Sequence, residues 1–258
     1  MTESCLIRSD RDGIATLVLN APERLNALSD VMLAALADAF GALAADRSAR
    51  VVILRAEGKA FCAGHDLKEM QAARAGADKG HAAFTDLFAR CAEVMQMIPA
   101  LPQPVIAQVQ GVAAAAGCQL VASCDMVVAS DTARFGVNGV NIGLFCSTPM
   151  VALTRVVPRK AAFEMLVTGA FIDAARAREL GLVNRVVAAD RLEAETRELA
   201  EVVAGKLTAA VKIGKRAFYD QIGLPLADAY RLTGEAMVEN MLWQETEAGI
   251  TAFLDRKG

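Results

Sequence analysis

The chain reads as an α/β protein in which pairs of strands alternate with helices and a helical region closes the sequence. Three observations predict this. Short apolar runs bounded by turn residues recur at Ile14 to Leu19, Val51 to Leu54 and Pro104 to Val109, the length and pattern of buried strands. Between them lie segments with apolar residues three and four apart, such as Met32, Leu33, Leu36 and Phe40, the mark of a helix with one buried face. From Ser147 the helical pattern runs almost to the end, broken by one last short run, Val183 to Val187.

Taken in order, Cys5 to Arg8 and Ile14 to Leu19 flank Asp12-Gly13, a hairpin signal. Ser29 is placed to cap a helix reaching about Ala45. Lys59 to Asp66 is a glycine-containing loop, and Leu67 begins a helical or irregular segment. The small, polar stretch Ala72 to Gly80 is expected to be mobile, and His81 to Met97 to be a helix closed by Pro99. Val127 to Ala129 and Ala133 to Gly136 are short strands. Gly169 and Gly181 act as helix stops, and Leu192 to Lys206, Ala209 to Ile222, Leu226 to Met241 and Glu245 to Leu254 are helices.

Composition narrows the class. The 258 residues are 54% hydrophobic and 22% charged, enough to bury a real core. Lysine and arginine number 27 against 30 acidic residues, a formal charge of −3, which carries no global footprint for nucleic acid. Six cysteines without C-x-x-C spacing and only two histidines argue against structural zinc. The opening MTESCLIRSD has no apolar core of a secretory signal, and no run approaches the length of a membrane span, so a cytoplasmic protein with reduced thiols is expected.

The most informative stretch is Gly111 to Gly143, GVAAAAGCQLVASCDMVVASDTARFGVNGVNIG. A small-residue loop opens a short helix, followed by a strand and a second tight loop. That arrangement points backbone N–H groups into a pocket at a helix N-terminus, where they can hold a developing oxyanion.

Four patches carry a resemblance. They are PERLNAL at Pro22 to Leu28, KAFCAGHDLKEM at Lys59 to Met70, PVIAQVQGVAAAAGCQLVASCD at Pro104 to Asp125, and FGVNGVNIG at Phe135 to Gly143. In this order, with the tail ITAFLDRK, they resemble the enoyl-CoA hydratase/isomerase (crotonase) superfamily over nearly the full length. The resemblance implies a crotonase-like spiral of strand-strand-helix turns over residues 1–200 and a helical oligomerisation region over 201–258, assembled as trimers or dimers of trimers. It also implies an acyl-CoA thioester ligand, with CoA part of the substrate and no separate cofactor, and neither nucleic acid nor membrane as partner.

Carried over by position, the oxyanion donors are the N–H groups of His65 and Ala116. The family usually has glycine at the second position; alanine keeps the N–H and narrows the approach. Ala63, Gly64, Asp66, Leu67 and Gly117 fall in the CoA-thioester site, with Asp66 ordering the loop backbone. Arg24, Lys68, Arg256 and Lys257 are candidates for the CoA phosphates. The family's hydratases carry glutamates at the positions of Gln119 and Gly139. Hydration needs a base for water and an acid for Cα. A glutamine facing the pocket can orient water but cannot take its proton, and a glycine can do neither. Gly139 to Lys160 is closer still to one subgroup that also lacks both glutamates.

The His65 ring could donate a proton or bind a carboxylate. His81 reads as a surface residue at a helix start. Cys62, Cys118 and Cys146 lack a base partner and read as packing residues rather than nucleophiles, with Phe145 and Cys146 shaping an acyl pocket. Asp12, Asn26 and Asn184 read as turn residues without chemistry. Three functions stay open: a lyase or isomerase using His65, Gln119 and bound water; a base-free decarboxylase of malonyl-type thioesters; and an acyl-CoA-binding protein without fast chemistry.

Overall fold

A computed structural model of the chain describes residues 4–255. The hairpin is β1 (Leu6–Arg11) and β2 (Ile14–Leu19), antiparallel, turning through Asp12 and Gly13 at φ 55° and 77°. Two successive residues with positive φ match the twist of a tight hairpin. Then follow α1 (Asp30–Ala45), β3 (Val51–Ala56), β4 (Ala60–Cys62), α2 (Leu67–Arg74) and α3 (His81–Ala100). The next turns are β5 (Val105–Val109), β6 (Val112–Ala114), α4 (Ala116–Ser123), β7 (Met126–Ser130) and β8 (Arg134–Gly136). After these come α5 (Pro149–Val156), α6 (Arg159–Thr168), β9 (Ile172–Asp173), α7 (Ala174–Glu179), β10 (Arg185–Val187) and α8 (Leu192–Ala204). The chain ends in α9 (Thr208–Ile222), α10 (Leu226–Met241) and α11 (Gln244–Asp255).

The strand pairs β3/β4, β5/β6 and β7/β8 do not pair within themselves. Each gives its first member to a six-stranded sheet, β1-β2-β3-β5-β7-β10, and its second to a four-stranded sheet, β4-β6-β8-β9. Beyond the hairpin the larger sheet is parallel, and the smaller one is parallel except for β9. The spiral is this repeated step from one sheet to the next. Phe40, Phe61 and Phe135 are fully buried between sheets and helices. A second cluster seats Leu192, Ala200 and Ala204 of α8 on Ile14, Val51, Ile53 and Ile106.

The expected Ser29 cap holds, and several other expectations shift. Ser29 caps α1, its hydroxyl accepting from Met32 N at 3.2 Å. β4 and β6 were hidden inside loops, because three small or buried residues leave no period to read. Pro99 does not close α3, which runs one residue further to Ala100; the missing N–H costs one bond to the preceding turn, and the helix ends directly after it. Within Ala72 to Gly80, the expected mobile stretch, residues 72–74 are helical. The rest is a turn fixed by Asp78, which accepts from Gly80 N at 3.0 Å and Ala82 N at 2.9 Å. α8 crosses residue 200, where the spiral core was expected to end, so the helices that leave the sheets begin with α9.

A buried cluster ties α9 back. Lys215 Nζ donates to the carbonyls of Ile98 (2.9 Å) and Gln103 (2.8 Å) and to Asp125 (2.7 Å). Asp125 also accepts from Tyr219 Oη at 2.7 Å and Val105 N at 2.6 Å. No described residue of α10 or α11 is buried, and Leu226, Tyr230 and Met237 are among their exposed side chains.

Candidate active site

Two loops meet where the smaller sheet ends. Ala115, before α4, has φ 49° and ψ −117°. A residue with a Cβ pays about 1–3 kcal/mol for such a backbone, and the fold holds it there: Ala115 N donates to Gly136 O at 2.8 Å and Gln119 N to Ala115 O at 3.1 Å. Opposite, Gly64 has φ +96°, and a Cβ on it would stand 3.1 Å from Ala114 O and 3.4 Å from Ala116 N. Glycine is needed there for both reasons. The 63–65 loop is fixed by Ala63 N to Leu25 O (3.1 Å) and Leu28 N to Gly64 O (2.8 Å). Asn26, expected to be an ordinary turn residue, is fully buried; it accepts from Ala21 N and donates to the carbonyls of Glu57 and Ala60. Among the described residues the N–H groups of His65 and Ala116 donate to no protein acceptor.

Both residues line a cavity of about 290 Å³, near the lower end of small-ligand sites. α2 contributes Leu67 and Met70, α3 contributes Phe88, and the segment from Asn138 to Pro149 forms the opposite wall, Phe145 and Cys146 included. Its polar side chains are His65, Asn138, Ser147 and Thr148; no aspartate, glutamate, lysine or arginine lines it. Asn138, Ser147, Thr148, Met70 and Phe88 were not foreseen. The Thr148-Pro149 pair was a readable helix start, but nothing local placed that start beside Ala116.

The structure sorts the expected site residues. His65, Ala116, Gly139, Ala63 and Leu67 line the cavity. Gln119 does not: its side chain is buried with Oε1 unpartnered, so the expectation that it faces the pocket is corrected. Gly117 is also away from the cavity, because α4 packs on β4 so closely that a Cβ there would fall 2.2 Å from Cys62 O. Gly139 is bare for a similar reason. A Cβ would meet Leu144 O at 2.2 Å and Cys146 Sγ at 2.9 Å.

Arg24 is already engaged, donating to Asp66 at 2.5 Å and Glu69 at 2.9 Å. Asp66 caps α2 through Lys68 N and Glu69 N. Burial acts against its charge, and the Glu69 N–H and Arg24 more than offset that, leaving its carboxyl below the ordinary range. Lys68 is exposed and off the cavity wall. Arg256 and Lys257 lie outside the described residues. Burial pushes the Cys62 and Cys118 thiols up to about 12 and raises Cys146, so all three stay protonated packing groups. His81 is exposed, and Asn184 accepts from Val127 N, a structural role.

The profile of the enoyl-CoA hydratase/isomerase family matches residues 9–258. The chain belongs to this family. It is 46% identical over 247 residues to the mouse "enoyl-CoA hydratase domain-containing protein 3, mitochondrial", covering 96% of this chain and 81% of that protein. A putative enoyl-CoA hydratase of Thermus thermophilus is 34% identical, with 98% of each chain covered. Among solved structures, an enoyl-CoA hydratase of Mycobacterium smegmatis superposes with a TM-score of 0.95 at 53% identity, covering 98% of this chain and 97% of that one. The human domain-containing protein 3 gives 0.93 at 44% identity, with 98% of each covered. The crotonase spiral expected from the four sequence patches is the fold of these relatives, and the subgroup resemblance read from Gly139 to Lys160 agrees with them. Among the described residues no helix is long and apolar enough to cross a membrane.

Proposed function

We propose that this chain binds an acyl-CoA thioester with the acyl group in the 290 Å³ cavity. The N–H groups of His65 and Ala116 take the thioester oxygen and stabilise its enolate. The carrying observation is the pairing of two uncommitted N–H donors with a wall that holds no carboxylate. Preorganised donors in a water-poor site favour charge on that oxygen, each worth roughly 3 kcal/mol in comparable sites. Paired-carboxylate hydration has no groups here to perform it, since position 119 holds an amide that does not line the cavity and Gly139 has no side chain.

The reaction class we assign is lyase or isomerase chemistry through that enolate. A base-free decarboxylation of malonyl-type thioesters is the second reading, favoured by the absence of any acid that would repel the substrate's carboxylate. CoA is part of the substrate, and no cofactor is proposed. We assign assembly as a homotrimer or a dimer of trimers through the apolar faces that α10 and α11 leave exposed. Neither nucleic acid nor membrane is proposed as a partner. Six unpaired cysteines support a reducing, cytoplasmic setting, although the mouse relative is named as mitochondrial.

The test is calorimetric titration with butyryl-CoA alongside crotonyl-CoA hydration and carbon dioxide release from malonyl-CoA. Saturable butyryl-CoA binding without fast hydration supports the reading. No binding at millimolar ligand overturns it, and carbon dioxide release selects the second reading.

A further inference from the structure

The cavity holds one basic side chain that the oxyanion function leaves unused. His65 reaches the Leu28 carbonyl through Nδ1 at 3.4 Å. A carbonyl only accepts, so this contact favours the tautomer with the proton on Nδ1 and the lone pair on Nε2. The ring is set edge-on to Phe88, with centroids 5.7 Å apart. Nε2 is buried and has no partner among the described residues. A buried acceptor without a donor is uncommon and points to a partner that the empty cavity lacks. Nε2 has almost no surface open to water in the empty cavity, so a partner can reach it only if the apolar wall around it moves as the acyl group binds.

Nothing charged competes for the ring. Phe88 comes from α3, Met70 from α2, and Asn138 and Ser147 from the opposite wall. Asp66, the next residue, is turned to Arg24 and the start of α2. The other titratable side chain in the wall is the Cys146 thiol, which burial keeps protonated.

We propose that His65 is the catalytic proton acceptor of this site, its Nε2 taking a proton from Cα of the bound acyl thioester and returning it. The C–H bond breaks, and its electron pair enters the enolate. The oxygen of that enolate rests on the N–H groups of His65 and Ala116. The proton sits on Nε2 until it returns to carbon, so no co-reactant is consumed. One residue thus supplies a donor from its backbone and a base from its ring. Burial lowers the ring's affinity for protons below the ordinary histidine value, keeping it neutral and competent at pH 7.

This inference rests on the acyl-CoA reading above, and the experiment separates the two. Butyryl-CoA is incubated with the protein in deuterium oxide, and loss of its α-CH2 proton signal is followed by NMR. The wild type should exchange those protons. His65→Asn, whose amide can still donate to Leu28, and His65→Gln should each lose about 100-fold or more in exchange measured at saturating butyryl-CoA. The wild-type exchange rate should rise to a plateau with a midpoint below 6.5. With only two histidines, His81→Gln assigns the His65 ring signal, and that signal should titrate at the same midpoint. Bound butyryl-CoA without exchange, or exchange unchanged in both His65 variants, overturns the proposal and leaves the binding reading standing. Failure of butyryl-CoA to bind overturns both.

Discussion

Replacing Gly139 tests whether the missing acid is a simple deletion or is built into the backbone. A Cβ at this position would stand 2.2 Å from Leu144 O, more than an ångström inside ordinary contact, and 2.9 Å from Cys146 Sγ. The loop cannot swing away freely, because Leu144 N donates to Gly139 O at 3.0 Å. Forcing a methyl into such a site typically costs about 1–3 kcal/mol. For a chain near this size each kcal/mol lowers Tm by roughly 2–4 °C, so Gly139→Ala should melt about 2–12 °C below wild type. Gly139→Glu should be at least as damaged, and Gln119→Glu would set its carboxyl behind the cavity wall, where burial holds it neutral. The double variant should therefore gain no crotonyl-CoA hydration. Scanning calorimetry and loss of enoyl absorbance measure the two effects. A Gly139→Ala melting point indistinguishable from wild type, or a hydration rate that appears in the double variant, would refute the reasoning.

Three further outcomes follow from buried or capped groups. Lys215→Met strands the Asp125 carboxylate, whose side chain is 12% exposed, and should cost about 3–5 kcal/mol in urea unfolding, with earlier proteolysis after α9. Asn26→Ala leaves Ala21 N and Glu57 O without their side-chain partner and should cost roughly 2–6 kcal/mol, at about 1–3 per unsatisfied group; an unchanged urea midpoint would contradict it. Asp46 is held well below the usual carboxylate range by the Ser48 hydroxyl first and then by Arg8. A depressed folded pKa gives stability that is present above the unfolded value of about 3.9 and lost as pH falls through the folded one. The stability gap between wild type and Asp46→Asn should therefore be full at neutral pH and close on acidification below about pH 4; a gap constant down to pH 2 would contradict that assignment.

Where a residue's role was set by its own chain neighbours, the sequence was readable. Ser29 caps α1 because hydroxyl and N–H lie three residues apart, and the four C-terminal helices follow their apolar spacing to within a residue or two. What was not legible depended on close approach between distant segments. β4 and β6 exist because Gly111 and Gly117 let backbones come together; a Cβ at these glycines would lie 2.1 Å from Lys59 O and 2.2 Å from Cys62 O. Asn26 looked like turn punctuation because its partners at Glu57 and Ala60 are about thirty residues away.

The two halves of the site differ in what holds them, and that difference explains why one half survives without the other. The proposed oxyanion donors are backbone groups, fixed by Ala115 at positive φ and by the glycine turn at Gly64. Side-chain replacement nearby does not erase them, because the N–H of Ala116 remains whatever stands at 119 or 139. The acid and base of a hydratase are side chains, and their loss needs only substitution. Once Gly139 is free of a side chain, the Leu144 carbonyl and the Cys146 thiol can close on the space, and the wall becomes apolar. An apolar wall in turn keeps the His65 imidazole neutral. On the proposed reading, a site without the two carboxylates does more than lack hydration: it offers an acyl group a neutral base and two N–H donors with no competing charge.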